Sequence, residues 1–211
     1  GLGMMRSVEE LIRDKTDLSG TQIAHLQRLA ADWQLIADLS FADLAIWVPL
    51  SESGFIAMSH VRAATAATVF PKDFEGEIQN RLPSGESVES FPISFKGRVI
   101  AQFTRHRNPM VTRSLGRLES TYQEIAQQLI EMVGEGTFPF DFAISSLNPS
   151  PRVGDGFIRL DKSGVIAYAS PNGRSAFSRL GWEGELEGIK LVDLANGISG
   201  EAISTLTEKV N

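Results

Sequence analysis

The sequence has no cysteine among its 211 residues, which excludes a disulfide framework and any thiolate metal site. It also lacks an apolar run near the roughly 18 residues of a transmembrane helix, and its first residues have no signal-peptide core. Basic residues are few: 20 Lys and Arg stand against 26 Asp and Glu, and the formal charge of −6 opposes nucleic acid and anionic lipid. We therefore expect a cytoplasmic protein that contacts neither nucleic acid nor a membrane.

Sequence motifs of catalysis are missing as well. The sequence contains no phosphate-binding GxxxxGK[ST] loop, no HExxH and no GxSxG. Its three histidines, His25, His60 and His106, lie far apart, so we do not expect them to converge on one metal ion. We therefore expect these residues not to form an enzyme, and they indicate no catalytic residue, no metal site and no particular cofactor.

Hydrophobic residues make up 42% of the chain, enough for a sizeable core, and the first long periodic segment is helical. Ser19 and Gln22 have the spacing of a capping box, which predicts a helix that runs to about Leu39. A shorter helix is predicted over residues 8–13. The apolar positions of the long helix recur at steps of three and four, and they are Ile23, Leu26, Ala30, Trp33 and Ala37.

Short apolar runs predict two antiparallel hairpins. Residues 42–50 and 55–62 form the first, and residues 63–87 form a loop with room for one short helix. The second hairpin turns at Gly97, which supplies a positive φ, and Pro92 predicts an edge strand because proline cannot donate to a ladder. Its alternating apolar positions are Phe91, Ile93 and Phe95 on one strand and Val99, Ala101 and Phe103 on the other.

The clearest helical pattern is an apolar stripe that ends before Gly134 and Gly136. Its members are Leu115, Leu118, Tyr122, Ile125, Leu129 and Met132. The order of helix, four strands and helix predicts a first α+β domain over residues 5–136. This stripe and the matching stripe of the first long helix either pack on their own sheet or form a helical dimer interface, and both possibilities stay open.

The chain changes character after this helix. Residues 137–155 are rich in proline, glycine and serine and read as a linker, and a further hairpin follows that turns at residues 161–164. Ser170 at the N-cap predicts a helix start, with short helices over 189–194 and 200–210 completing the chain. We expect Asn172 to fix the turn at this junction through side-chain hydrogen bonds to nearby backbone.

Several of these segments resemble one family. They are WQLIADLSFADLAIWV at 33–48, TRH at 104–106, EGTFP at 135–139, SPRVGDGFIRLDKSGVIAYASPNGRSA at 150–176 and ELEGIKLVD at 185–193. With them the chain resembles the N-terminal sensory region of cytosolic actinobacterial two-component sensor histidine kinases, which consist of a GAF domain, a PAS domain and a kinase. The resemblance implies a GAF domain over 5–136, a linker over 137–155 and the N-terminal part of a PAS domain over 156–211.

The resemblance also implies a function. The chain would be the sensory input region that detects a small ligand or a redox state and regulates autophosphorylation and phosphotransfer by a kinase domain absent from this chain. That kinase would use ATP and Mg²⁺, act as a homodimer and pass its phosphoryl group to a response regulator with an RNA-binding antitermination output. The alternative is a dimerisation scaffold of the same kinase that binds no ligand.

Two departures from the family pattern affect these expectations. The stretch between Gln79 and Val88 is shorter than the resemblance implies, so the protein has a deletion there or a mobile loop is missing from the sequence. The sequence also stops at Asn211, before the strands that normally complete a PAS sheet, so its PAS part is incomplete.

The strands predict where the GAF domain would hold its unknown ligand. We expect the pocket on the sheet face that neither long helix covers, because a mainly apolar cleft with a few polar groups is the usual small-ligand site. The candidate lining residues are Trp47, Met58, His60 and Phe91. A basic cluster reads as a solvated face or as a place for a phosphate-bearing ligand, and it consists of Arg105, His106, Arg107, Arg113 and Arg117.

Overall fold

The structure is a computed structural model that describes residues 6–70, 72–109, 116–139 and 156–196. The chain divides into two compact units, Gly1–Pro151 and Arg152–Asn211. Within the described residues no helix is long and apolar enough to cross a membrane.

The first unit is a five-stranded antiparallel sheet with helices before and after it in sequence. Its helices are α1 (Val8–Lys15), α2 (Gly20–Asp32), α3 (Gln34–Ser40) and α4 (Arg117–Glu135). Its strands are β1 (Ala42–Pro49), β2 (Phe55–Val61), β3 (Ile78–Gln79), β4 (Val88–Phe95) and β5 (Arg98–Arg107). The strand order is β3-β2-β1-β5-β4, so Pro92 lies in an edge strand, as its missing N–H predicts.

The capping box predicted at Ser19 is present, but the long helix that follows is broken. Gln22 N–H donates to the Ser19 hydroxyl at 3.2 Å, and Ser19 N–H donates to the Gln22 side chain at 2.9 Å. The prediction of one helix to Leu39 is wrong, because Trp33 leaves helical geometry at φ −90° and ψ 3° and separates α2 from α3. The apolar period continues through this break, so periodicity alone does not reveal it.

One face of the sheet packs against the helices and forms the main core. From the helices and the break at Trp33 the buried residues of this core are Ile12, Ile23, Leu26, Leu29, Trp33, Ile36, Ala37, Ile130 and Val133. From the strands they are Leu44, Ile46, Val48, Ile56, Ile93, Ile100, Ala101 and Phe103. The apolar stripe predicted for the first long helix is therefore used against its own sheet.

A bulge in the second hairpin changes which residues face this core. Ile93 pairs with Ala101 and the next pair is Ser94 with Val99, so Ile100 is the extra residue. Ile100 is only 4% exposed, whereas Val99 is 57% exposed. The predicted alternation of Val99 with Ala101 is therefore wrong, because the extra residue reverses the faces beyond it.

Turns and helix ends mostly follow the sequence signals. Lys96 and Gly97 have φ values of 49° and 76°, the pair of positive values that a two-residue hairpin turn requires. Helix α4 ends at Glu135, and the following Gly136, with a φ of 82°, is the left-handed C-cap that the glycines predict. The described residues between 63 and 87 contain no helix, and their short strand β3 pairs with β2.

The second unit begins with a two-stranded hairpin, β6 (Ile158–Leu160) and β7 (Ile166–Ala169), followed by α5 (Pro171–Arg179) and α6 (Leu191–Asn196). The Asp161 carboxylate accepts hydrogen bonds from the backbone N–H groups of Ser163, in the predicted turn, and Val165, just after it. The Ser170 hydroxyl accepts from Gly173 N–H as the predicted N-cap, and also from Phe157 N–H. The helix predicted over 189–194 corresponds to α6, and the one over 200–210 lies outside the described residues.

The bulge predicts unequal effects of two truncations on stability. Ile100→Ala should lower the free energy of unfolding by about 2–4 kcal/mol, because it opens a cavity in the core. Val99→Ala should change it by less than about 0.5 kcal/mol, because that side chain is mainly in solvent. Urea unfolding of both variants measures the difference, and a larger loss for Val99→Ala would restore the simple alternation.

Candidate functional site

The sheet face opposite the helices, called the back face here, carries a mixture of polar and aromatic side chains. Strand β1 contributes Asp43, Ala45 and Trp47 to it, since their neighbours Leu44, Ile46 and Val48 point into the helix-side core. The strand pairing adds residues from β5 and β2, and these are Thr104, His106, Ala57 and His60. Four of these polar or aromatic groups are almost fully buried, and they are Asp43, Trp47, Thr104 and His106.

Three of the buried groups form a hydrogen-bonded row. The Trp47 indole Nε1–H donates to Thr104 Oγ1 at 2.9 Å, and that oxygen lies 2.7 Å from His106 Nε2. Because an indole only donates, the Thr104 hydrogen remains available for the imidazole. Burial lowers the pKa of His106 to about 4, although the Asp43 charge raises it in part. The ring is therefore neutral near pH 7 and can accept through Nε2.

Residues 63–70, called the strap here, cover part of the back face and are tied to the Asp43 carboxylate. One carboxylate oxygen accepts from Ala63 N–H at 3.0 Å. The other accepts from Val69 N–H at 2.8 Å and from the Thr68 hydroxyl at 2.6 Å. These bonds satisfy a carboxylate that is only 2% exposed, and such a buried charge requires them.

A second buried carboxylate joins the strap to helix α3. The Asp38 side chain accepts from Ala64 N–H at 2.8 Å and from the Gln34 amide at 3.0 Å. The Asp38 backbone carbonyl accepts from the Thr65 hydroxyl at 2.7 Å. The path of the strap is therefore fixed by hydrogen bonds to the last turn of α3 and to the first strand.

Two phenylalanines close the back face over the polar row. Phe70 at the end of the strap is 4% exposed, and its ring centroid lies 4.8 Å from those of His106 and Phe74. The Phe74 ring in turn lies 5.9 Å from Trp47 in an edge-on arrangement. The protein thus fills this face with its own aromatic rings.

Charged groups line the rim of the back face near β2. His60 Nε2 lies 3.3 Å from an Asp73 carboxylate oxygen, and Arg62 donates to that same oxygen at 3.0 Å. His60 Nδ1 lies 3.9 Å from Glu75. No group of three or more potential metal ligands occurs within the described ranges.

The structure separates the four residues proposed to line a ligand pocket. Trp47 and His60 lie on the back face, as expected. Met58 is the extra residue of a bulge in β2 and packs against the helix-side core. Phe91 also packs there, with its ring 5.1 Å from Phe103. The expectation that all four share the back face is therefore wrong for Met58 and Phe91, and ligand binding by Trp47 and His60 stays a prediction.

The basic cluster is likewise split by the alternation of strand β5. His106 faces the strap, whereas Arg105 is 3% exposed, pairs with both oxygens of Glu89 and lies over the Phe91 ring. Sequence reasoning missed Asp43 as a site residue, although a carboxylate within the apolar run of β1 is a signal of a buried polar role. Its partners in the strap lie 20 to 26 residues away and give no local signal.

The predicted stripe on α4 is mostly used inside the first unit. Tyr122 and Ile125 are buried, and Tyr122 stacks on Phe41 at 6.1 Å. Leu129 and Met132 pack against the helix-side core, whereas Leu118 is 41% exposed. Leu115 lies outside the described residues.

Asn172 lies in the first turn of α5, on its exposed side. Ser170 supplies the hydroxyl that caps this helix. The proposed role of Asn172 at the turn therefore stays a prediction.

Comparison with known proteins relates this fold to a defined family. The family model of the GAF domain of the histidine kinase PdtaS matches residues 8–86. The sensor histidine kinase PdtaS of Mycobacterium tuberculosis H37Rv is 36% identical over 217 residues, which cover 90% of this chain and 43% of the relative. PdtaS of Mycolicibacterium smegmatis is 33% identical over 216 residues, which cover 89% of this chain and 43% of the relative. The chain thus spans less than half the length of these relatives.

A solved structure described as the sensor region of a sensor histidine kinase extends the similarity to the whole fold. It superposes with a TM-score of 0.81 and 38% identity, covering 96% of this chain and 80% of that one. The likeness to that sensor region is therefore one of fold as well as of sequence. The chain therefore belongs to the sensor histidine kinase family and is a sensor region with a GAF domain.

Proposed function

We propose that this chain is the input region of a two-component histidine kinase and that its GAF domain detects a small ligand at the back face. The observation that carries the proposal is the division of the sheet. One face packs the helices, while the other buries a polar and aromatic group under an irregular strap. Apolar and aromatic side chains with a few polar groups are the usual lining of a small-ligand site, and the strap would have to move to open one here. Because the sequence contains no cysteine, it offers no thiol–disulfide switch, and we favour a ligand over redox sensing of that kind.

The strap offers a physical route from the back face to the helices. Asp38 ties the strap to α3, and α3 packs against α4, the helix that is capped by Gly136. A ligand that moved the strap would bind two arrangements of these helices with different affinity. The ligand can change kinase activity only as far as this difference in affinity shifts the balance between the two arrangements.

The domain plan and the partners are part of the same proposal. The GAF domain would cover residues 5–136, with a linker over 137–155 and the start of a PAS domain over 156–211. The kinase domain that the relatives' names imply would use ATP and Mg²⁺ in the cytoplasm. It would transfer its phosphoryl group to a response regulator, for which we propose an RNA-binding antitermination output. The shortened stretch between Gln79 and Val88, as a deletion or as a mobile loop missing from the sequence, stays a prediction.

A dimerisation scaffold without a ligand is the second candidate. It draws support from the self-filled back face, where Phe70 and Phe74 occupy the space beside Trp47. In this case the strap would be a static cover, and loosening it would leave kinase output unchanged. In either case we propose a homodimer, with the exposed start of α4 at Leu118 in its contact.

Loosening the strap separates the two candidates. Thr65→Val keeps the shape of the side chain and removes the hydroxyl that donates to the Asp38 backbone carbonyl. One such hydrogen bond is worth about 1 kcal/mol, which corresponds to roughly a fivefold change in the ratio of closed to open strap. We expect faster amide hydrogen exchange over residues 63–70 and autophosphorylation of the full-length kinase that differs from the wild type by up to about fivefold.

Thr21→Val is the matched control. Thr21 lies in the first turn of α2, away from the strap, and its exposed hydroxyl contacts the Ser19 hydroxyl. The control should match the wild type in both measurements. Faster strap exchange with unchanged autophosphorylation in Thr65→Val would favour the scaffold.

The proposed dimer contact predicts a second outcome. Leu118→Glu should weaken self-association of this chain in sedimentation equilibrium without lowering its Tm, because it places like charges across the contact at an exposed site. Gln127→Glu adds the same charge at another exposed position of α4 and serves as the control. A wild-type chain that sediments as a monomer at tens of micromolar would remove this contact from the proposal.

The neutral state of His106 predicts how stability depends on pH. Its pKa is about 4 in the folded protein and about 6.5 when unfolded, so only the unfolded state gains a proton as the pH falls between these values. The free energy of unfolding should fall by about 3 kcal/mol from pH 7.5 to pH 3.5, relative to His106→Gln, with most of the loss between pH 6.5 and pH 4. Urea titrations of both proteins from pH 3.5 to pH 7.5 measure this, and parallel profiles would contradict it.

A further inference from the structure

We propose that the Asp43 carboxylate recognises a small planar ligand that carries hydrogen-bond donors, such as an amidine, a guanidine or an amino-substituted heterocycle. In this view the ligand takes the positions that the strap now holds over the back face. The inference deepens the proposed function and rests on it, because it names the chemistry of the ligand at the same face.

The donor requirement follows from the burial of Asp43. Its carboxylate is only 2% exposed, so little solvent reaches its two oxygens. The donors to its two oxygens are Ala63 N–H, Val69 N–H and the Thr68 hydroxyl, all from the strap. A molecule that displaces the strap must replace these donors, because an unsatisfied buried carboxylate is costly.

The planar shape follows from the surroundings of Phe70. Its ring centroid lies 4.8 Å from the His106 ring, which is next to Asp43 in the pairing of β1 with β5. Phe74 and His60 flank the same ring at 4.8 Å and 6.1 Å. A flat ring in the place of Phe70 would keep these contacts, and donors on its edge would lie near the carboxylate.

The strap itself is suited to displacement. Its middle consists of small residues, and Ala64, Thr65, Ala67 and Thr68 are exposed. It is held by hydrogen bonds to Asp38 and Asp43 and by three apolar side chains at its two ends, Ala63, Val69 and Phe70. Segments with few apolar contacts open at low free energy compared with the core of a domain.

The charges of the face select against anions. Asp43 lies within it, and Asp73 and Glu75 lie at the rim beside His60. The nearby Arg62 is already paired with Asp73, and His106 is neutral near pH 7. A carboxylate or phosphate would therefore meet repulsion at Asp43, whereas an amidinium would form a charge-assisted pair.

Benzamidine and benzoate test this inference as a matched pair, because they share a ring and differ in the sign of the charged group. Phe70→Ala vacates the ring position, and benzamidine should raise the Tm of this variant by roughly 3 °C at ten times its dissociation constant. Benzoate should leave the Tm unchanged. In the double variant Phe70→Ala with Asp43→Asn, the affinity for benzamidine should be at least tenfold lower than in Phe70→Ala.

The wild-type chain gives a readout that does not depend on the folding of these variants. Benzamidine at saturating concentration should speed amide hydrogen exchange over residues 63–70 and leave β4 unchanged, whereas benzoate should do neither. Equal effects of benzamidine and benzoate, or an effect that survives Asp43→Asn, would overturn the recognition by Asp43. If benzamidine had no effect on either the wild type or Phe70→Ala, the proposal would also be overturned.

Failure of this inference and failure of the proposed function are distinguishable. An anionic or donor-free metabolite that stabilises the wild type and changes autophosphorylation would remove the Asp43 proposal and keep ligand sensing. Wild-type autophosphorylation in Thr65→Val, despite a loosened strap, would remove ligand sensing at this face as a whole.

Discussion

Two buried carboxylates determine how the back face of the sheet is covered. Asp38 at the end of α3 and Asp43 at the start of β1 are 1% and 2% exposed, and they accept one and two backbone N–H groups of the strap respectively. Burying a carboxylate is unfavourable unless donors surround it, so the strap cannot take another course without leaving both groups unsatisfied. The position of Phe70 over His106 follows, because Phe70 comes directly after the last residue that Asp43 holds.

The central strand makes this arrangement compatible with a conventional core. Strand β1 is buried on both faces, with Leu44, Ile46 and Val48 toward the helices and the alternate residues toward the strap. Its sequence is therefore a continuous apolar run that contains one carboxylate. Hydrophobic burial on the helix side stabilises the sheet, and that stability allows the other side to hold a polar group that contributes less.

Local signals predicted much of the fold, and the errors have a common cause. The capping box at Ser19, the turn at Gly97 and the C-cap at Gly136 depend on neighbouring residues, and the structure has all three. The break at Trp33 and the bulge at Ile100 interrupt a period without a proline or glycine to mark them. The pocket prediction failed for Met58 for the same reason, since a bulge in β2 moves it to the helix side. The role of Asp43 depends on partners more than 19 residues away, which periodicity cannot reveal.

The same carboxylates connect the chemistry of the back face with its dynamics. Asp43 holds the strap to the sheet and Asp38 holds it to α3, so a ligand that replaces only the bonds to Asp43 leaves the strap attached to the helix. The strap would then swing about its N-terminal end rather than detach. A molecule without donors would leave Asp43 unsatisfied at a cost of about 1–3 kcal/mol, or about 5- to 150-fold in affinity. The energetics that close the strap therefore also select the molecules that can open it.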